Sequence, residues 1–242
     1  MTAKKKIVVA LSCVLAVAAI VATSVMSTVA FLSYSAVVYN TFTVGDVKIS
    51  LTESPVDAEG KKTTGDPVDH NTYTLVPNKT YDKDPVVELL EGSQDSYLFV
   101  HVKNNIENIA ANDPANDKPT IALQLAQHGW AKYIKGATGW IYVYCGLDGE
   151  GNSLVNDSDA TNETGWSGVY TAKTVKAGDK CELFKTFSIK AGLDSAQLLP
   201  YNSAEIRITA IAIQDDGFEN IGAAWEVVHN TYPHIVVGGN AP

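Results

Sequence analysis

The chain has 242 residues, of which 45% are hydrophobic and 19% charged, and its formal net charge is −9 at pH 7. This length and apolar content suffice to bury a hydrophobic core without a structural metal or a disulfide framework. The acidic balance argues against nucleic acid and anionic membrane surfaces as partners, because both would repel the chain.

The N-terminal segment has the three parts of a secretory signal peptide. Three lysines precede a mostly apolar run over residues 7–22, and small and hydroxyl residues then lead to Ala30. This order predicts a signal peptide over residues 1–30, cleaved after Ala30 by a signal peptidase, and therefore a secreted product. The alternatives are a cut near Ala36 and a retained membrane anchor, although no basic cluster follows Leu32 to stop transfer.

An apolar, β-prone arm, residues 31–40, follows the predicted cut. Leaving such an arm in water is unfavourable by about 25 cal/mol per Å² of apolar surface. It is expected to pair either within its own sheet or, as a donated strand, with the open edge of a neighbouring copy, since both satisfy the same backbone groups. Donation that does not close into a ring builds a filament of identical subunits. The side chains predicted to make this contact are Phe31, Leu32, Tyr34, Val37, Val38 and Tyr39.

Residues 41–242 are predicted to form one domain of short strands separated by turns. The clearest strands are Ser96–Lys103 and Glu205–Gln214, and the first has two apolar faces, which indicates a central place in a sheet. The other predicted strands are Thr41–Leu51, Thr72–Pro77, Val86–Leu90, Thr120–Leu125, Trp130–Ile134, Gly139–Cys145, Gly168–Val175 and Cys181–Ile189.

Short helices are predicted between the strands. Asn220 is a candidate N-cap for a helix over Ile221–Val228. Asp194–Leu199 is predicted to form one helical turn that ends at Pro200. The polar, irregular segment 104–119 is a candidate for a third short helix. No helix of βαβ length separates the strands, which excludes a parallel sheet. The predicted fold is all-β, an antiparallel two-sheet jelly-roll sandwich with two or three short helices, and an immunoglobulin-like sandwich is the alternative.

No catalytic motif is present in the sequence. HExxH, GxSxG and CxxC are all missing, so we expect neither an enzyme nor a cofactor. His101 alternates with Tyr97 and Phe99 along a predicted strand, which favours packing over metal binding. Beyond the leader the cysteines are Cys145 and Cys181, which either form one disulfide or stay as buried thiols, and the sequence leaves this open.

Two groups of side chains suggest binding. Asp148, Glu150 and Asn152 place oxygen atoms at alternate positions, as calcium prefers, although an Asp/Gly turn explains the same residues. A platform of exposed tryptophans would stack on sugar rings and gives a glycan- or surface-binding module as the alternative function, whereas strand tryptophans more often belong to the core. The tryptophans concerned are Trp130, Trp140 and Trp166.

The lysine-rich leader followed by the strand Thr41–Leu51 resembles the camelysin/TasA-like family of secreted bacterial proteins. Pro77–Pro85, Tyr97–Lys103 and Ala223–Trp225 are also similar. The resemblance implies an exported jelly-roll subunit that builds biofilm-matrix fibres at the cell surface, with other matrix components as possible partners. It also implies that the strand freed by cleavage, here about residues 31–40, is donated to the next subunit. Some members carry a metallopeptidase label, which does not transfer to a chain without HExxH.

Overall fold

The computed structural model describes the backbone of residues 33–37 and the whole of residues 47–233. The predicted leader, its cleavage site at Ala30 and the predicted strand before residue 47 lie outside these ranges. Within them the strands are β1 Ser33–Val37, β2 Ile49–Thr52, β3 Thr80–Asp82, β4 Val86–Leu89, β5 Ser96–Asn104, β6 Trp130–Lys135, β7 Trp140–Tyr144, β8 Lys180–Glu182, β9 Thr186–Ser188 and β10 Ile206–Gln214. The α-helices are α1 Ile121–Gln127, α2 Ser195–Leu198 and α3 Ile221–Thr231. None of them has the length and apolar composition needed to cross a bilayer.

The strands of the described ranges form three antiparallel sheets. The order β1-β10-β5-β7-β6 makes a five-stranded sheet, β2-β4-β8 a three-stranded sheet and β3-β9 a two-stranded sheet. Every strand pair in them runs antiparallel. Because the helices in the described ranges are few and short, the predicted all-β class is confirmed.

β5 and β10 form the longest ladder and are buried on both faces. Their register runs from Ser96 opposite Gln214 to Asn104 opposite Ile206. One face belongs to an inner cluster shared with the smaller sheets, which includes Ile49, Tyr81, Val87, Leu98, Val100, Phe187, Ala210 and Ala212. The opposite face belongs to an outer cluster, which includes Phe99, Tyr133, Ile141, Val143, Ile211, Ile213, Trp225 and Val228. The two apolar faces predicted for β5 are therefore confirmed.

Helix α3 covers the outer cluster. It begins as predicted at Asn220, whose side-chain oxygen accepts a hydrogen bond from the backbone N–H of Ala223 at 3.0 Å. Such a cap satisfies one of the amide groups that a helix leaves unpaired at its start. The indole of Trp225 packs against Phe99 and Tyr133, with ring centroids 5.2 and 5.1 Å away. The helix thus closes a sheet face that would otherwise be exposed to water.

The segment Thr120–Leu125 is a helix, α1, rather than the strand we predicted. The side chain of Thr120 caps it by accepting from the backbone N–H of Leu123 at 3.1 Å. Side chains at helical spacing are buried along one stripe: Ile121, Gln124 and Leu125. A short apolar run has no clear period, so the capping residue and the helix-favouring alanine, leucine and glutamine side chains decided its structure.

The segment Cys181–Ile189, predicted as one strand, is divided between β8 and β9, which belong to different sheets. The side chain of Gln124 in α1 lies at this division. Its Oε1 accepts from the backbone N–H groups of Lys185 and Thr186 at 2.9 and 3.1 Å, and its Nε2 donates to the Thr186 carbonyl at 2.8 Å. Gln124 is buried, and its carboxamide satisfies three backbone groups at this division. The single-strand prediction is wrong because a distant side chain replaces the ladder here.

Two further predicted strands are not strands in the structure. In Thr72–Pro77 the backbone groups bond to a side chain instead of a neighbouring strand. The Tyr81 hydroxyl accepts from the N–H of Val76 at 2.7 Å and donates to the carbonyl of Thr74 at 2.6 Å. Gly168–Val175 contributes one isolated bridge, between its last residue and the first residue of β5.

Replacing Trp225 by alanine should lower the free energy of unfolding by about 3–5 kcal/mol, because a fully buried indole leaves a cavity under α3. Urea unfolding followed by circular dichroism measures this loss. The control is Val169→Ala at a residue that is 72% exposed, which should change stability by less than about 0.5 kcal/mol. Equal effects of the two substitutions would show that α3 does not close the outer cluster.

Candidate functional site

Strand β1 lies at one edge of the five-stranded sheet, with β10 as its ladder partner. The register runs from Ser33 opposite Ile213 to Val37 opposite Thr209. Of the predicted contact residues, Tyr34 and Val37 belong to this strand. The others lie outside the described residues: Phe31, Leu32, Val38 and Tyr39. The structure thus records the arm paired within its own chain, which is one of the two arrangements that the sequence left open.

The edge of β10 that faces β1 carries the hydrogen-bonding groups of the even-numbered residues. At the two ends of the β5–β10 ladder, the N–H of Asn105 donates to the carbonyl of Glu205 and that of Asp215 to Asp95, both at 3.0 Å. Bonded pairs alternate along an antiparallel ladder, so the odd-numbered residues of β10 bond to β5. The even-numbered residues then point their backbone groups to the other edge. Without an arm, those groups are an open template for a strand.

A groove of about 570 Å³ adjoins this edge where β10 begins. It is lined by Ile206–Ile208 of β10, by Leu51–Glu53 at the end of β2 and by residues 69–75. Because Val37 pairs with Thr209, the groove starts where the described part of β1 ends. Its volume is in the range of pockets that hold ligands.

A buried ionic network lines the same groove. The Lys83 ammonium lies 2.5 Å from Oε2 of Glu53, and the two side chains are 10% and 4% exposed. Oε1 of Glu53 accepts from the amide nitrogen of Asn71 at 3.0 Å. That nitrogen also donates to the carbonyl of Ser54 at 2.9 Å, and the amide oxygen accepts from the N–H of Val56 at 3.1 Å. No sequence pattern predicts this network, because its charged and amide side chains come from separate segments with no common spacing.

The candidate calcium loop is closed by its own hydrogen bonds. Oδ1 of Asp148 accepts from the backbone N–H groups of Glu150 and Asn152 at 2.8 and 2.9 Å, and the Asn152 amide donates to Oδ2 at 3.1 Å. These bonds hold the pKa of the Asp148 carboxyl below its ordinary value. Across the described part of the chain, no group of three or more His, Cys, Asp or Glu side chains is placed to hold a metal ion. The structure therefore shows the Asp/Gly turn that the sequence also allowed, closed on the Asp148 carboxylate.

Cys145 and Cys181 are free, buried thiols on opposite sides of the five-stranded sheet. Cys145 packs in the outer cluster and Cys181 in the inner cluster. The structure contains no disulfide between them. Burial raises the pKa of each thiol to about 12, so neither supplies a thiolate nucleophile at neutral pH.

His101 packs within the sheet, in agreement with the sequence-based interpretation. Its ladder neighbours are Ile141 and Thr209, and Nε2 lies 3.4 Å from the hydroxyl of Thr138. Burial, with a further contribution from the charge of Lys103, lowers the pKa of the imidazole below its ordinary value. The side chain is therefore neutral at neutral pH and acts as part of the core.

The three candidate tryptophans differ in how deeply they are buried and in what they pack against. Trp130 is fully buried in the inner cluster. Trp140 is half-buried, with the ammonium groups of Lys132 and Lys135 at 4.6 and 5.4 Å from its ring. Trp166 packs against the outer cluster. The core interpretation that the sequence favoured for strand tryptophans is confirmed for Trp130, which is too buried to stack on a sugar, and Trp140 and Trp166 pack against different clusters.

Comparison of the chain with protein-family models, with curated proteins and with solved structures found no match. A function must therefore be argued from the structure itself, and three of its features are candidates. They are the edge of β10 with its arm, the adjoining groove, and the ionic network within that groove.

Acid should destabilise the fold through His101. Because burial lowers the pKa of the folded imidazole, the unfolded chain takes up a proton first as pH falls below about 6.5. The free energy of unfolding should be constant above that pH and decrease below it, by at most about 1.4 kcal/mol per pH unit, until the folded pKa is reached. Urea titrations between about pH 7.5 and pH 5 measure the slope.

His101→Gln should flatten this acid slope, whereas His70→Gln, at an exposed histidine, should keep it. An unchanged slope in His101→Gln would assign the acid sensitivity to other groups.

Proposed function

We propose that this protein is an exported structural subunit with a jelly-roll fold, whose copies join head to tail into extracellular filaments of a biofilm matrix. In this proposal, residues 31–40 of one copy pair along β10 of the next. The observation that carries it is the position of β1, which follows the predicted leader directly and completes an edge of the central sheet. The resemblance to the camelysin/TasA-like family supports the same assignment.

The course of the chain between the sheets supports the jelly-roll assignment. β4 belongs to a smaller sheet and β5 to the five-stranded one, while β7, β8 and β10 lie successively in the large, a small and the large sheet. Such crossing between two packed layers is typical of jelly rolls, whereas a simple meander keeps consecutive strands together. The inner cluster, to which both layers contribute, is the core expected of such a sandwich.

Exchange of the arm between copies needs no new type of contact. The edge of β10 offers the same backbone groups to its own arm and to the arm of a neighbour, as in domain swapping. The chain's own arm is favoured by an effective concentration in the millimolar range, so a neighbour's arm must gain contacts elsewhere. In the register of β1, a longer donated strand would run past Thr209 and meet Ile208 and Ile206 in the groove. The contacts with these two isoleucines are the proposed gain.

In this proposal, cleavage of the leader must come before polymerisation. While the signal peptide is attached, the arm is continuous with a segment held in the export machinery and is not free to enter a neighbour's groove. Cleavage after Ala30 releases the arm outside the cell. Export would therefore precede polymerisation, and the subunit would stay single until processed.

The mature protein beginning at Phe31 should form filaments, and the form lacking residues 31–39 should remain a folded monomer. The deletion removes the donated strand but leaves the residues that build the inner and outer clusters. Negative-stain electron microscopy and sedimentation velocity measure assembly, circular dichroism checks the fold, and N-terminal sequencing of the exported protein locates the cut. Filaments formed by the truncated protein would rule out the arm as the connection.

Two proline substitutions in β1 form a matched pair. Ala36 lies opposite Ala210, whose backbone groups point toward β1, and Ser35 lies opposite Ile211, which bonds to β5 instead. Ala36→Pro removes an N–H that donates to β10 and should abolish filaments, whereas Ser35→Pro removes one that points away and should preserve them. Equal assembly of the two variants would contradict strand pairing as the joint between subunits.

A further inference from the structure

Glu53, Lys83 and Asn71 bring a carboxylate, an amine and a carboxamide together in the wall of the groove. The Lys83 nitrogen lies 2.5 Å from one oxygen of Glu53, and the Asn71 amide nitrogen lies 3.0 Å from the other. One carboxylate thus holds a nucleophile and an acyl group side by side. The Glu53 and Lys83 side chains are only 4% and 10% exposed, so the arrangement is shielded from water.

Stability alone is a weak explanation for this network. Taking two charges out of water has a free-energy cost that their mutual attraction only partly offsets, and apolar residues of the same volume are often at least as stabilising. The groove around the pair contains apolar side chains, including Leu51, Leu75 and Phe187. Charges retained in such surroundings are a frequent mark of chemistry.

We propose that Lys83 and Asn71 form an intramolecular isopeptide bond, an amide between Nζ of Lys83 and Cγ of Asn71, with release of ammonia. Glu53 takes a proton from the Lys83 ammonium, which frees the nitrogen lone pair to attack Cγ. The bond from Cγ to Nδ2 then breaks, and Nδ2 leaves as ammonia after receiving a proton from Nζ. Ammonia finally takes the proton from Glu53, so the carboxylate is regenerated and ammonium is the by-product. The reaction consumes no oxidant or other reactant.

The surroundings of the Asn71 amide suit this reaction. The N–H of Val56 lies 3.1 Å from Oδ1, the atom on which negative charge develops during attack, and stabilises it as an oxyanion-hole donor does. The carbonyl of Ser54 holds the leaving nitrogen at 2.9 Å and so orients the amide. The rings of Tyr73 and Phe187, 5.1 Å apart, line the same groove and limit the access of water. Holding both reactants on one carboxylate replaces a bimolecular encounter by an intramolecular step.

The bond ties the long connector between β2 and β3 to the residue that follows β3. This connector forms only isolated bridges with itself, such as those between Glu53 and Val68 and between Val56 and Lys62. A covalent link restricts the unfolded chain and keeps the groove wall in place, as a disulfide would. It forms within one subunit and therefore does not depend on the proposed filament.

The intact mass of the purified mature protein tests the bond. We expect a mass lower by one ammonia than the sequence requires, and a tryptic digest with one branched peptide that joins Asn71 to Lys83, located by tandem mass spectrometry. A full sequence mass after prolonged incubation of the folded protein overturns the proposal. An ammonia loss confined to an unbranched peptide, as in succinimide formation, overturns it as well.

Variants assign the roles of the side chains. Lys83→Arg keeps the positive charge but removes the nucleophile, so the full mass should return. Glu53→Gln keeps both reacting groups and should slow bond formation about 10²–10⁴-fold. The matched control Lys103→Arg, in a partly exposed ion pair with Glu205, should still lose ammonia. Ammonia loss in Lys83→Arg, or an unchanged rate in Glu53→Gln, contradicts the proposal, and the wild-type mass decides even where a variant fails to fold.

Discussion

The rest of the structure depends on the ladder between β5 and β10. Both strands carry apolar side chains on both faces, so the pair is stable only when each face is covered. On one side Val100 and Ala210 pack against the smaller sheets, and on the other Phe99 and Ile211 pack under α3, where Trp225 fills the space. The smaller sheets on one side and helix α3 on the other provide the cover that this ladder requires.

A ladder covered on both faces can be open only at its edges. β7 occupies the far edge of β5 and β1 occupies the far edge of β10, so this ladder can exchange a strand at the edge where β1 lies. In the proposed assembly, the arm of a neighbouring copy would pair with this edge through backbone hydrogen bonds. The network of Glu53, Lys83 and Asn71 in the groove wall uses a different property, the exclusion of water, which makes charged groups reactive toward one another. The proposed assembly and the proposed covalent bond would therefore use neighbouring but separate parts of the same architecture.

The strength of the local signal separates the elements that the sequence predicted well from those it did not. Ser96–Lys103 and Ile221–Val228 have clear periods, and the second has a capping asparagine, so the types of both elements were correct. Thr120–Leu125 is too short for its period to distinguish a strand from a helix. The division of Cys181–Ile189 depends on the side chain of Gln124 in α1, and no residue within that segment predicts this contact.

The sequence by itself determined the features whose cause is local: the all-β class, the capped helix α3 and the Asp148 turn. The tertiary structure decided which edge the arm pairs with, that Cys145 and Cys181 lie on opposite sides of a sheet, and that Glu53, Lys83 and Asn71 meet. The physical reason is the distance along the sequence over which each interaction acts. Alternation and capping act over a few residues, whereas these contacts depend on the order of strands in the sheets, which is set by how the whole chain buries its apolar surface.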